Sequence, residues 1–153
     1  VKPLFLFVLI ALSFFPSAES DLEAHGPPPN VIINIDGLRN DKGQIAIGIF
    51  KNDYNFQNEL PDDGFLFDKA DMVDGKMTIQ FYLPPGETYG VAYLDDENDD
   101  RVMNYNWLGL PKEGFGMGGH YPGGLFKPSF EDFSFFLPTE KVLEMPSEVR
   151  YIL

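Results

Sequence analysis

The segment Val31-Ile32-Ile33-Asn34-Ile35-Asp36-Gly37 decides the fold, together with Gln44-Ile45-Ala46-Ile47-Gly48-Ile49-Phe50 just after it. The first is rich in β-branched residues, and the second alternates large and small side chains. A strand turns every second side chain to the same face, so both patterns suit short strands burying one face each. Asp36-Gly37 and Asn40-Asp41-Lys42-Gly43 supply turn chemistry between them, and the two strands are expected to form a hairpin. Further along, Met77-Thr78-Ile79-Gln80-Phe81-Tyr82 alternates again, and Tyr89 to Leu94 follows as another strand. Leu83-Pro84-Pro85-Gly86 separates them as a tight connection, because two prolines withhold ladder donors. Phe130 to Leu137 and Ser147 to Leu153 are the last strand candidates. Residues 51–75 are dense in Asn and Asp around one apolar cluster, Phe65-Leu66-Phe67, and Pro138 to Pro146 has room for one helical turn. About seven short strands with no 3.6-residue apolar period predict an all-β protein, an antiparallel β-sandwich. Its core is expected to include Ile33, Ile35, Ile45, Ile47, Ile49, Ile79, Phe81, Val91 and Tyr93.

The chain of 153 residues suits a single sandwich domain, placed here at residues 31–153. Eleven Lys and Arg stand against 24 Asp and Glu, a net charge of -13. Nucleic-acid binding needs clustered cations to neutralise phosphates, so that class of partner is excluded, as is an anionic membrane face. Cysteine is absent, which removes thiol catalysis, iron–sulfur ligation, thiolate zinc sites and disulfides. His25 and His120 are the only histidines, too few for a multi-histidine metal centre.

Residues 1–20 have the form of a secretory signal peptide. Lys2 precedes an apolar run of 12 residues, Leu4 to Phe15, and small residues follow at Ala18 and Ser20. Cleavage is expected between Ser20 and Asp21, leaving a mature chain still at -13 because one charge of each sign departs. The run is shorter than the ~20 apolar residues of a membrane span, so the mature protein is expected without one, in the periplasm or outside the cell. Residues 21–30, with Pro27-Pro28-Pro29, form an extended lead-in.

The densest chemical feature is Asp95-Asp96-Glu97-Asn98-Asp99-Asp100. Asp96, Asn98, Asp100 and Asn104 place oxygen side chains at alternate positions of a curled loop, with the Val102 carbonyl at the seventh position. That spacing fits a hard cation, and calcium is the expected ion. Two positions depart from a helix–loop–helix calcium loop: Arg101 replaces the turn glycine at the sixth, and Trp107 replaces the closing glutamate at the twelfth. The alternative is a solvated acidic turn with Arg101 as an internal counter-charge. A glycine- and aromatic-rich stretch follows, in which Tyr105, Trp107, Phe115 and Tyr121 either pack to close the end of the sandwich or offer a ligand surface. Packing is the favoured expectation. Gly114-Phe115-Gly116-Met117-Gly118-Gly119 formally matches a dinucleotide fingerprint, but Pro122-Gly123-Gly124 follows instead of a helix, and the match is rejected. No serine sits in a nucleophile elbow, so no catalytic residue is assigned.

Tyr82 to Tyr89 resembles the hairpin of transthyretin-like and carboxypeptidase-regulatory-like sandwiches. Asp96-Glu97-Asn98, then Gly109-Leu110-Pro111-Lys112-Glu113-Gly114-Phe115-Gly116 and Lys127-Pro128-Ser129-Phe130-Glu131-Asp132, are more specific. They resemble the bacterial exported family known as domain of unknown function 2141, over about residues 30 to 153. The chain departs from that pattern at Asp100-Arg101, where Asn-Gly is usual, at Asn104, where Asp is usual, and at Gly118-Gly119. The resemblance implies a transthyretin-like (prealbumin- or Ig-like) β-sandwich in the periplasm or outside the cell, and no established activity. Two functions follow as expectations. One is a non-enzymatic binding or accessory module, calcium-stabilised, for an envelope or extracellular ligand. The other is an envelope hydrolase using Glu113 or an acidic-loop carboxylate.

Overall fold

A computed structural model describes residues 26–119 and 127–152. The expected signal peptide at residues 1–20, His25, His120 and Tyr121 lie outside the described residues.

Among the described residues, two sheets are built from β1 (Val31–Asp36), β2 (Gln44–Phe50), β3 (Asp63–Asp68), β4 (Met77–Phe81), β5 (Thr88–Asp96), β6 (Gly114–Met117), β7 (Phe135–Phe136) and β8 (Leu143–Glu148). The first sheet runs β4-β1-β8, and the second runs β3-β2-β5-β6 with β7 beside the start of β5. Neighbours are antiparallel except β1 and β8, which run parallel. The protein is an all-β sandwich, and the alternation explains why. Val31, Ile33 and Ile35 of β1 and Ile79 and Phe81 of β4 turn inward from the first sheet. Ile45, Ile47 and Ile49 of β2 and Tyr89, Val91 and Tyr93 of β5 meet them from the second. All nine residues expected in the core are buried there.

Several local expectations need correction. β1 and β2 do not form a hairpin: β1 pairs with β4 and β8, and β2 pairs with β3 and β5. The segment between them has left-handed glycines near both ends, Gly37 (φ 87°) and Gly43 (φ 69°), and carries the chain from one sheet to the other. Gly43 is sterically required, since a Cβ there would lie 1.9 Å from the Asp96 carbonyl oxygen. Tyr82 to Tyr89 is likewise no hairpin but a crossing between the sheets, from β4 to β5. Its prolines withhold ladder donors, and Gly86 N–H instead donates to the Leu137 carbonyl at 2.7 Å.

Phe130–Asp132 is a 3₁₀ turn and only Phe135–Phe136 pairs as strand, because the Asp132 carboxylate caps the turn by accepting from the Ser129 N–H and hydroxyl. The expected helical turn at Pro138 to Pro146 is replaced by the start of β8, where Pro146 is tolerated because β8 lies at a sheet edge. The final strand accordingly begins earlier than expected and ends at Glu148, and beyond it Arg150 forms an isolated bridge with Phe115.

The ambiguous region 51–75 contains helix α1 (Asp53–Gln57) and β3. Asn52 caps α1 by accepting from Asn55 N–H at 2.8 Å, and Asp53 accepts from Phe130 N–H at 2.7 Å. Phe56 from α1 then packs with Phe50, Phe130, Phe133 and Met117 in a second apolar cluster outside the main core. That cluster covers one end of the second sheet's outer face, and the acidic loop flanks the other.

Candidate functional site

β5 runs into the acidic loop with its alternation intact, so consecutive aspartates point opposite ways. Asp95 continues the inward parity of Val91 and Tyr93 and is fully buried. There it forms an ion pair with the equally buried Lys69, and Tyr151 donates its hydroxyl to Asp95 Oδ2 at 2.5 Å. Gly114 makes room for that tyrosine, because a Cβ would lie 2.4 Å from its ring. Lys69 also donates to the Asn40 carbonyl at 3.3 Å.

Asp96 faces the other way and anchors the loop. Its Oδ1 accepts from Asp100 N–H at 3.0 Å, and its Oδ2 accepts from Arg101 N–H at 3.0 Å and the Gln44 amide at 2.9 Å. Asn98 Oδ1 accepts from Asp100 N–H at 3.2 Å, and Asp100 Oδ1 accepts from Val102 N–H at 2.9 Å. The side chains at the first, third and fifth loop positions thus each turn back onto the loop backbone. Arg101 adopts the left-handed φ of 63° that glycine would take at the sixth position. Arg101 lines a neighbouring cleft, and among the described residues Lys69 and Arg39 form ion pairs with the acidic run. Arg39 grips Glu97 through two bonds of 2.6 and 3.0 Å, and this contact holds the Glu97 carboxyl below the usual glutamate range.

Asn104 arrives at the loop as a donor. Its Nδ2 lies 2.7 Å from Asp100 Oδ2 and 2.8 Å from the Val102 carbonyl, and the Asn98 amide adds a further bond to Asp100 at 3.0 Å. These donors, the Asn104 amide foremost, lower the Asp100 pKa. The structure therefore brings Asp96, Asn98, Asp100, Val102 and Asn104 into one loop. Among the described residues, no three acidic or histidine side chains stand at ligating distance from a common point.

Glu113 completes the neighbourhood. It is only 6% exposed, its Oε2 accepts a long bond of 3.4 Å from Asn104 N–H, and its Oε1 has no hydrogen-bond partner. Burial, reinforced by the negative charges of Asp100 and Asp96, pushes its carboxyl above the usual glutamate range. Pairing of Asp95 with Gly114, the first residue of β6, brings Glu113 to the entry of the acidic loop.

Next to the loop, the second sheet's outer face carries a cleft of about 490 Å³. Ala46, Gly48 and Ala92 line it from β2 and β5, Phe56 from α1, and Leu110 and Phe115 from the chain beyond the loop. Tyr105 also lines it, donating its hydroxyl to Glu59 at 2.6 Å. Trp107 does not pack as expected and is 90% exposed. Asn106 closes a tight turn by accepting from Leu108 and Leu110 N–H groups at 2.9 and 3.0 Å, which turns the indole outward. Gly114–Met117 is strand β6, not a phosphate loop. No helix among the described residues is long and apolar enough to cross a membrane.

Sequence reasoning missed the burial of Lys69 and Asp95 and the part played by Arg39. The inward parity of Asp95 was the available signal; nothing local marks Lys69, whose partner lies on another strand.

The profile of a bacterial family described as an uncharacterized protein conserved in bacteria (DUF2141) matches residues 33–145. No curated protein and no solved structure matches the chain.

Proposed function

The chain belongs to the bacterial DUF2141 family, and on that premise we propose that it is an exported, non-enzymatic binding module that takes a small apolar molecule in the outer-face cleft, with calcium steadying the acidic loop beside it. The observation that carries this reading is the cleft itself. Small residues on adjacent strands leave a hollow where a sheet face would normally be covered, and aromatic and aliphatic side chains rim it. The calcium part rests on the sequence spacing of Asp96, Asn98, Asp100 and Asn104, which places oxygen side chains at alternate positions with the Val102 carbonyl at the seventh. Export to the periplasm or the cell exterior is supported by the apolar run Leu4 to Phe15 and the small residues after it. Mass spectrometry of the envelope fraction tests it, with an N-terminus at or near Asp21 as the expected result.

Titration with an environment-sensitive apolar dye tests the cleft. The expected result is saturable binding that Ala46→Phe abolishes while the melting temperature stays close to wild type. Binding unaffected by that substitution would remove the cleft from the reading. The competing reading, a hydrolase acting through Glu113, is disfavoured because that carboxylate is buried and is not among the cleft-lining residues. Turnover of an envelope substrate, lost on Glu113→Gln, would reverse that preference.

A further inference from the structure

We propose that Glu113 is the closing ligand of the acidic loop, supplying the carboxylate that the twelfth loop position lacks and completing a calcium site with Asp96, Asn98, Asp100, Asn104 and the Val102 carbonyl. This deepens the calcium part of the reading above and rests on it.

Three features of the structure carry the assignment. The first is the orphan oxygen. Glu113 Oε1 is buried without a hydrogen-bond partner on a residue that is 6% exposed, and a buried carboxylate in that position is costly unless something else satisfies it. The second is its direction. Glu113 immediately precedes β6, whose first residue Gly114 pairs with Asp95 at the entry to the loop. Asn104 N–H, at 3.4 Å from Oε2, fixes the carboxylate on the loop side. The third is the Asn104 amide. Its Nδ2 sits between Asp100 Oδ2 and the Val102 carbonyl at 2.7 and 2.8 Å, close to where an ion shared by those oxygens would lie, since calcium binds oxygen at ~2.3–2.6 Å.

Half a turn about the last side-chain bond exchanges Nδ2 for Oδ1, which changes Asn104 from a donor satisfying those oxygens into a further ligand. Because the three carboxylates do not share a coordinating point as they stand, loading draws Glu113 inward by side-chain rotation. Asp96, Asp100 and Glu113 then bring three negative charges to the ion, and the two amides and one carbonyl raise the donor count to six. Calcium accepts six to eight oxygens in flexible geometry, whereas magnesium requires a tight octahedron near ~2.0–2.1 Å. A mixed set gathered from a loop and a strand end suits calcium.

Calorimetric titration with calcium chloride and thermal melting, on the whole chain and its Glu113→Gln variant, test the proposal. Wild type is expected to bind calcium between ~10⁻⁵ and ~10⁻³ M and magnesium more weakly, with a melting temperature that rises with calcium. Glu113→Gln is expected to bind calcium ~10-fold more weakly or worse. In chelator the same variant is expected to melt above wild type, because the orphan carboxylate is gone. Unchanged calcium affinity in the variant overturns the Glu113 assignment and leaves the calcium reading standing. No heat and no melting shift in wild type at roughly 20 mM calcium, well above the weakest expected constant, overturns both. Should the variant fail to fold, a crystal structure of wild type grown in calcium decides the matter: Glu113 in the coordination shell supports the proposal, and a bound calcium without it overturns the assignment.

Discussion

Asp95 and Asp96 are chemically identical neighbours with opposite fates. Strand parity sends the first into the sandwich, where Lys69 neutralises it and Tyr151 donates to it, and the second to the outer face, where it gathers loop N–H groups. A buried ion pair contributes little net stability when intact, yet removal of one partner leaves an uncompensated charge. Lys69→Met is therefore expected to cost about 3–5 kcal/mol. Lys69→Met combined with Asp95→Leu should recover most of that loss, because the charge left stranded is removed too. Urea unfolding of both variants checks this. A double variant no more stable than the single one would mean that packing, not the stranded charge, sets the cost. The run of acids at 95–100 stands out in the sequence, but the division of labour within it depends on partners 26 and more positions away in the chain, such as Lys69.

Helix α1 shows the same dependence among elements. Five residues make too little helix to persist alone, since nucleation is unfavourable and few bonds repay it. It survives because Asn52 caps it, Asp53 ties it to the 3₁₀ turn, and Phe56 docks against Phe50 and Phe133 with ring centroids 5.3 and 4.7 Å away. Phe56→Ala is expected to cost about 3–5 kcal/mol, as large aromatic truncations in packed clusters do. Faster amide exchange should accompany it across residues 52–58 and 129–133. Exchange confined to the helix itself would show that the 3₁₀ turn stands independently. The sequence of this region, dense in Asn and Asp, has no helical apolar period to advertise α1, because Phe56 is its one buried side chain. The β2–β3 pairing beside it was signalled only by Phe65-Leu66-Phe67, for β3 lies at a sheet edge and has one covered face.

Across the whole molecule, a charge of -13 opposes compaction, and several carboxylates compensate by holding specific partners. Glu97 is held below its ordinary pKa by Arg39, Glu87 by Lys51, Asp53 by the Phe130 N–H and Asp100 by the Asn104 amide. Groups with depressed folded pKa values contribute stability above their unfolded values, ~3.9–4.3, and lose it as pH falls through the lower folded values. Glu113, shifted upward, acts in the opposite sense and is relieved by acid. Melting at fixed ionic strength should therefore show a steep loss of stability below pH ~4, and raising salt at neutral pH should raise the melting temperature by screening the net repulsion. A flat profile down to pH ~2.5 would show that these pairs contribute nothing measurable. The all-β class, the isoleucine core and the position of the acidic loop were all determined by local pattern alone, because a period of two and a run of acids are properties of adjacent residues. Only the tertiary structure decided which strands pair, since a seven-residue connection and a Pro-Pro-Gly turn permit either a hairpin or a crossing between sheets. It also decided which aspartate meets Lys69, where the cleft opens and that Glu113 comes to lie beside the acidic loop, because each depends on contacts between segments far apart in the chain.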